Sequence, residues 1–371
     1  MKFKLKTLTP VKIGTGEVQE INQFNSFVYD DKLVVFDIER LLSSNLEKMD
    51  GIFKGIKSDG SLGSYFNDKI KSNEDYWKYS VPIKDKGTVN EIENSGEVEP
   101  QIMLPDNTFY IPGSSVKGSL RTNILTKYYL DNPTKWHGKG GRLETPDSYL
   151  QIGRNDPKRD IMKAFQVTDT DEKRPLESGI GLSVKTYSKK KGGKLQPKHW
   201  TTAHLAIDEK QEFEFEISIN EKLLKKMKDE WRGGHEIDRI LGGTDEEDVI
   251  DHIFESCKEV SRKRLEKEDK FLRNLSNSHE FNSLNFLVED LKYELDDDCC
   301  LFNLGFGIGR LGTTVQLSAI QDEVKKTLRK MSGVKGEQQN KLSIDYPKSR
   351  KYYLNEGNPE GMLGWVKLER S

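Results

Sequence analysis

The sequence predicts an α+β fold built on an antiparallel sheet. Segments of period two, such as Glu212–Ile219 (EFEFEISI), put acids on one face and Phe213, Phe215 and Ile217 on the other, the pattern of a strand with one wet and one buried face. Hairpin signals join neighbouring strands, as at Asp30-Asp31 inside Phe27–Phe36. Helical spacing recurs between the strands, as in Val249, Ile253, Phe254, Cys257 and Val260. Strands mixed with helices and hairpins in this way argue α+β.

Along the chain, residues 2–8 set Phe3, Leu5 and Thr7 against three lysines, a strand that runs into Pro10 and the turn Gly14-Thr15-Gly16. After the 27–36 hairpin, Asp37 is expected to cap a helix with Arg40 in its first turn. Residues 50–100, rich in Lys, Asp, Gly and Asn, read as a helical or irregular insertion, and Thr108–Ile111 as a short strand. Val116, Leu120, Ile124 and Leu125 fit one face of a helix, whereas 131–160, with Pro133, Pro146 and Pro157, reads as loop. Strands are expected at 164–168 and 212–219, on either side of a long segment, 171–205. Leu223–Met227 and about 245–276 read as helices, the second with Asp245–Asp248 where the helix dipole favours acids. Cys299–Leu304 reads as a buried strand. It is followed by the glycine-rich run Gly305–Gly312 and by a helix from about Val315 to Met331 that ends at Gly333.

Composition narrows the function classes. No apolar run approaches the ~18 residues of a membrane span, and the N-terminus lacks the apolar stretch of a secretory signal, so a cytoplasmic protein with no membrane partner is expected. Cys257, Cys299 and Cys300 are too few for a disulfide framework and read as reduced core thiols, the last two pointing opposite ways if they lie on a strand. No CxxC, HExxH or EF-hand pattern occurs, and no cofactor or metal is expected. The acid blocks Asp245–Asp248 and Asp296–Asp298 read as helix-start and turn acids. The formal charge of −2 does not exclude a nucleic-acid partner, because partners feel local fields. Residues 178–207 hold six lysines and no acid, whereas 245–255 and 289–298 are acid-rich.

Three tracts carry candidate chemistry. In Tyr110–Arg121 (YIPGSSVKGSLR), Pro112 and Gly113 end a strand and Ser114 or Ser115 is expected to cap a helix. Lys117 and Arg121, four apart, share a face of it. Free amides, hydroxyls and two cations make a phosphate site there plausible, against a plain capped surface helix. In Leu304–Thr314 (LGFGIGRLGTT), Gly305, Gly307, Gly309 and Gly312 allow close backbone approach and Arg310 supplies charge. The spacing meets a dinucleotide fingerprint literally, but a βαβ context with a following acid is missing. In Ser178–Ile207, Lys185, Lys189, Lys190, Lys191, Lys194 and Lys198 accompany Tyr187 and Trp200, with Lys189–Lys194 as a projecting hairpin tip. Backbone tracking with base stacking suits a single-stranded nucleic acid; a solvated lysine loop is the plainer alternative.

The order of these tracts resembles the RAMP superfamily of CRISPR proteins. The resemblance rests on Ile13-Gly14-Thr15-Gly16, Tyr110–Arg121, the glycine-rich loop, Ser349-Arg-Lys-Tyr-Tyr353 and Gly364-Trp-Val-Lys367. Within that superfamily it is similar to the Csm-type subunit that caps type III-A effector filaments near the guide RNA 3′ end. The resemblance implies a single RAMP-type domain over 1–371 with an RRM-like (ferredoxin-like) core. It implies a helical or irregular insertion at 37–105, a thumb-like β-hairpin at 171–202, a helical insertion at 221–298, and a C-terminal part of the core, 299–371, carrying the glycine-rich loop. It also implies guide RNA and target RNA as partners, with neighbouring RAMP backbone subunits and host nucleases that trim the guide 3′ end. The guide backbone would cross the Ser114–Arg121 helix start and the glycine-rich loop.

Target-slicing backbone subunits carry an Asp where Gln23-Phe24-Asn25-Ser26-Phe27 has Phe24, and guide-processing relatives carry a His in the N-terminal half, whereas the first His here is His137. A non-catalytic RNA-binding subunit is therefore expected. A RAMP-type RNA endonuclease is the alternative, and a nucleotide-dependent enzyme using Gly307–Gly312 is a third reading.

Overall fold

The computed structural model describes residues 1–15, 21–22, 25–44, 71–132, 160–231, 233–295, 299–318 and 347–371. Its organising strand is β1 (Lys2–Thr7), where Phe3 and Leu5 are fully buried and the intervening lysines are not. Two short strands, β2 (Ile21–Asn22) and β6 (Glu97–Val98), pair with each other. The strands β3 (Ser26–Tyr29), β4 (Lys32–Phe36) and β5 (Trp77–Pro82) form a separate three-stranded sheet. The β3–β4 hairpin turns on Asp30 and Asp31 at φ of 50° and 55°, as a two-residue turn matched to strand twist requires. Asp37 caps the following Ile38–Ser43 helix, accepting from the Arg40 amide at 3.0 Å.

The main sheet adds β7 (Phe165–Val167), β10 (Glu212–Ile219), β11 (Cys299–Asn303) and β14 (Trp365–Arg370) to β1, in the order β11-β14-β1-β10-β7 with every neighbour antiparallel. In chain order β1, β7, β10 and β14 stand fourth-first-third-second across the sheet. The Gly113–Asp131 helix lies between β1 and β7 in the chain, and the Glu246–Arg273 helix follows β10. This is the ferredoxin-like arrangement, with β11 added outside β14, and it makes the chain α+β. Val116, Leu120 and Ile124 of the first helix and Ile250, Ile253 and Cys257 of the second share one core with Phe3, Leu5, Phe213, Phe215 and Phe302. Each such fully buried side chain contributes about 1.5–3 kcal/mol.

β11 is buried on both faces, and its alternation divides its residues. Cys300 and Phe302 enter the main core, while Cys299 and Leu301 enter a second core with Leu265, Phe271, Phe281, Tyr352 and Trp365. All three cysteines are free thiols. A second sheet, in the order β13-β12-β8-β9, is made by β8 (Gly179–Lys189), β9 (Leu195–Ile207), β12 (Ser349–Asn355) and β13 (Asn358–Gly361).

Several local expectations change. Residues 77–82, within the stretch read as a helical or irregular insertion, form β5, because Leu33 and Val35 of β4 supply the pairing partners opposite Val81 and Tyr79. Nearby Lys86–Ser95 is helical. Thr108–Ile111 makes only isolated bridges from Phe109 to Met103 and Lys173. Val315–Ser318 is a short 3-10 turn; the rest of the helix expected to Met331, Gly16, Phe24, Asp296–Asp298 and most of the 131–160 loop lie outside the described residues. No helix among the described residues is long and apolar enough to cross a membrane.

Candidate nucleic-acid interface

The Gly113–Asp131 helix is not capped by its serines. Pro112 occupies the cap position in extended conformation, and Ser114 and Ser115 make no capping bond. The Gly113 amide instead donates to Asp169 Oδ1 at 2.7 Å. A Cβ at position 113 would lie 2.3 Å from the Val167 carbonyl oxygen, so glycine lets the helix start abut β7. The helix's first free amide thus already faces a carboxylate from across the sheet. Lys117 Nζ donates to the Phe165 carbonyl at 2.8 Å, and Arg121 pairs with Asp160 at 3.5 Å. Burial pushes the Lys117 pKa down, and Asp160 opposes that shift. The two cations do share a face, and the face is occupied. Ser114 and Gly118 remain exposed.

The glycine-rich loop adjoins this helix. Ser119 Oγ donates to the Asn303 carbonyl at 2.7 Å, at the end of β11. Gly305, Gly307 and Gly309 have φ of 78°, 85° and 67°, backbone that L side chains rarely adopt. A Cβ on Gly305 would sit 2.0 Å from the Lys12 carbonyl, one on Gly307 2.5 Å from Leu363, and one on Gly312 2.9 Å from Ile308. Those three glycines therefore serve packing. Gly309 is open and exposed, and Arg310 is half-buried at the loop's end.

The basic tract forms the β8–β9 hairpin, with Gly192 and Gly193 at its tip in the left-handed region. The tip expected to project is docked. Ser276 N–H donates to Gly193 O at 3.2 Å, Leu195 N–H donates to Asn277 Oδ1 at 3.0 Å, and Lys189 Nζ reaches Asn274 O at 3.2 Å. Tyr187 is core, 5.9 Å from Phe281 and 5.8 Å from Tyr352 between ring centres. Half-buried Lys185 and Lys189 lie lower on β8, Lys194 lies 3.8 Å from Glu280, and Lys190, Lys191 and Lys198 are exposed. Between the pairs Lys185–Thr201 and Tyr187–Pro197, three residues, Lys198, His199 and Trp200, face the single Thr186. Such bulges re-aim side chains, and Trp200 is left 83% exposed.

The base of the hairpin meets the glycine loop in a cluster that sequence reasoning missed. Buried Lys12 donates to Glu99 and stands 2.9 Å from His204 Nδ1, while Thr202 Oγ1 lies 2.6 Å from His204 Nε2. With Lys12 donating to Nδ1, the ring proton sits on Nε2 and is donated to Thr202. His204 packs on the Phe306 ring at 4.7 Å, and Lys351 lies 3.7 Å and Lys12 4.9 Å from the same ring centre. Phe306, the aromatic within the glycine run, was the one local signal. Burial, then Lys12 and Lys351, hold His204 well below the ordinary histidine pKa, and burial lowers both lysines. Counting along β9 from His204 to Leu195 at ~3.3 Å per residue puts the tip about 30 Å from this cluster.

This burial predicts a pH response. The folded-state pKa of His204 lies below 6.5, so its stabilising contribution is complete above pH 6.5 and is lost as the pH falls beneath it, by up to ~1.4 kcal/mol per pH unit. His252, also lowered by burial, acts in the same direction. Thermal melts between pH 7.5 and 5.5 are expected to show Tm falling, and His204→Gln is expected to flatten that slope. An unchanged slope in the variant would refute the assignment to His204.

Among the described residues, no group of three or more His, Cys, Asp or Glu gathers as a metal site would need. Asp245 is paired with Lys225 at 2.7 Å.

The comparisons with known proteins agree with this architecture. A family model described as the RAMP superfamily matches residues 4–312. The curated "CRISPR system Cms protein Csm5" of Methanocaldococcus jannaschii is 26% identical over 410 residues, covering 99% of this chain and 88% of that protein. A chain in the cryo-EM structure of a Csm-crRNA-target RNA ternary complex of a type III-A CRISPR-Cas system superposes with a TM-score of 0.73 at 23% identity, covering 100% of both chains. The crystal structure of T. onnurineus Csm5 superposes with a TM-score of 0.63 at 20% identity, covering 98% of this chain and 99% of that one.

Proposed function

This chain belongs to the RAMP superfamily, and from that membership we propose that it is a guide-RNA-binding subunit of a type III-A CRISPR effector complex. The observation that carries the reading is its similarity to Csm5 across 99% of its length. In this reading it is a cytoplasmic, non-catalytic subunit that caps the 3′ side of the backbone filament. It contacts neighbouring RAMP subunits and target RNA as well as the guide, and supports trimming of the guide 3′ end by host nucleases.

Lys190, Lys191, Lys194 and Lys198 supply phosphate contacts along the hairpin, with Lys185 and Lys189 behind them, and Trp200 offers a stacking face. Ser114, Ser115, Gly309 and Arg310 receive backbone at the other end, on a framework held by Gly113, Gly305, Gly307 and Gly312. Lys117 and Arg121 reach phosphate only by exchanging their partners Phe165 O and Asp160. The non-catalytic part is supported by the sequence, which has Phe24 where target-slicing subunits carry Asp and no His before His137.

Phosphate contacts position RNA without reading sequence, so affinity is expected to vary little among sequences and strongly with salt. The slope of log K against log salt is ~−0.7 per neutralised phosphate on a single strand, and Lys190→Ala, Lys191→Ala and Lys198→Ala together should make it shallower by about 2. Filter binding across a salt series checks this, and a salt-independent affinity would overturn the electrostatic part. Cleavage of labelled guide precursor by the purified protein, lost on a single His or Asp substitution, would establish the endonuclease reading instead.

A further inference from the structure

Among the described residues, the most exposed large apolar side chains are Trp200, Phe286 at 71% and Tyr293 at 90%. Trp200 stands among lysines on the hairpin. The other two share one helix, Asn282–Tyr293, whose inner face sets Leu284, Val288 and Leu291 in the second core. Seven residues are nearly two helical turns, so Phe286 and Tyr293 lie on the outer face about 10.5 Å apart along the axis. Asp290, also exposed, falls between them, four after the first and three before the second. Scattered apolar side chains on a surface need no explanation, but two aromatics in one stripe mark a contact surface. The stripe is also preorganised. Its helix is pinned by the core beneath, and each ring has only two side-chain torsions to fix on binding.

The charge pattern chooses the occupant. Arg273 and Lys292 pair with Asp269 and Glu289, and among the described residues Asp290 has no ion pair. RNA is disfavoured, because its phosphates would meet a carboxylate at the middle of the stripe and no cation on it. This is the reverse of the surroundings of Trp200. A second copy of the chain is disfavoured by symmetry. Asp290 sits next to the midpoint of the stripe, so a two-fold pairing of two such helices, parallel or antiparallel, brings the two Asp290 carboxylates together. Like charges pressed together between buried rings are repulsive. A different protein, with a cationic side chain between two apolar ones, satisfies all three groups at once. The apolar side chains cover the rings and the cation meets Asp290.

We propose that the Phe286–Asp290–Tyr293 stripe docks another protein subunit of the effector complex, through a segment that carries a lysine or arginine between two apolar side chains. The inference rests on the subunit reading above and adds to it the surface and its chemistry.

The test mixes the full chain, wild type or variant, with guide RNA and the other protein subunits of the complex, purified without it. Incorporation is followed by native mass spectrometry over a concentration series. Wild type is expected to enter the complex. Phe286→Ala with Tyr293→Ala is expected to need about 10-fold more protein or above, the effect of truncating central interface aromatics. Its Tm and its affinity for single-stranded RNA are expected to stay at wild-type values, because both side chains are exposed in the free chain. Asp290→Lys is expected to weaken incorporation about fivefold or more, and it decides the matter if the double variant melts early. Photo-crosslinking from Tyr293→benzoylphenylalanine is expected to capture a peptide of another subunit with Lys or Arg within about one helical turn of the attachment point. Incorporation of the double variant at the wild-type concentration overturns the surface and leaves the subunit reading standing. A cross-link to a second copy does the same, as does a loss of RNA affinity in the double variant, which would make RNA the occupant. Asp290→Lys entering as readily as wild type overturns the cationic partner. A wild-type chain that binds RNA yet stays out of the complex overturns the subunit reading and this surface together.

Discussion

Replacing Arg350 by methionine is expected to destabilise the fold by about 3–5 kcal/mol, the cost of leaving one member of a buried ion pair without the other. Arg350 and Glu268 are 9% and 11% exposed at their side chains, the arginine Nε contacts both carboxylate oxygens, and its guanidinium lies 4.2 Å from the centre of the Phe271 ring. Glu268 comes from the Glu246–Arg273 helix and Arg350 from β12, so the pair ties the second sheet to the helix behind the main one. The next residue, Lys351, is the cation over Phe306, so adjacent positions of β12 carry the ion pair and the contact with the glycine loop. The double variant Glu268→Leu with Arg350→Met removes both charges and should recover most of the loss. Urea unfolding of the wild type, the single variants and the double variant measures the coupling. A single variant within 1 kcal/mol of wild type would refute the argument.

Trp200→Ala is expected to weaken RNA binding by 1–3 kcal/mol, about 5- to 150-fold, with stability changed by no more than ~0.5 kcal/mol. The separation follows from exposure. A side chain 83% exposed contributes little to folding, yet at the register shift of β9 it presents a full aromatic face to solvent. Trp200→Phe keeps a smaller face and should lie between the two. Fluorescence anisotropy with a single-stranded RNA, beside thermal melts, reads both quantities. Wild-type affinity in Trp200→Ala would remove this residue from the interface, and a large fall in Tm would show that it is a packing residue instead.

Elements whose signal is local were legible. The alternation of Glu212–Ile219 appears as the buried-exposed pattern of β10, and the opposed directions of Cys299 and Cys300 appear as membership of two different cores. Asp30 and Asp31 turned where the hairpin signal put them. Residues 77–82 were obscured by a polar neighbourhood, since Trp77 and Tyr79 pair with a strand more than 40 positions earlier. At the candidate site, the residue types and their tracts were readable and their partners were not. Asp169, which takes the Gly113 amide, is 56 positions away, and His204 is 192 positions from Lys12.

By itself, then, the sequence determined the periodic elements, the segregation of six lysines from the acid-rich helices, and the motifs that mark a RAMP chain. Only the tertiary structure decided which of those groups remain available to a partner. It engaged Lys117 and Arg121, buried Tyr187 and exposed Trp200. The reason is physical. Periodicity is set by neighbours a few residues apart, whereas desolvation and charge pairing are set by whatever the fold brings within a few ångströms, and those contacts come from chain segments too distant for local spacing to reveal.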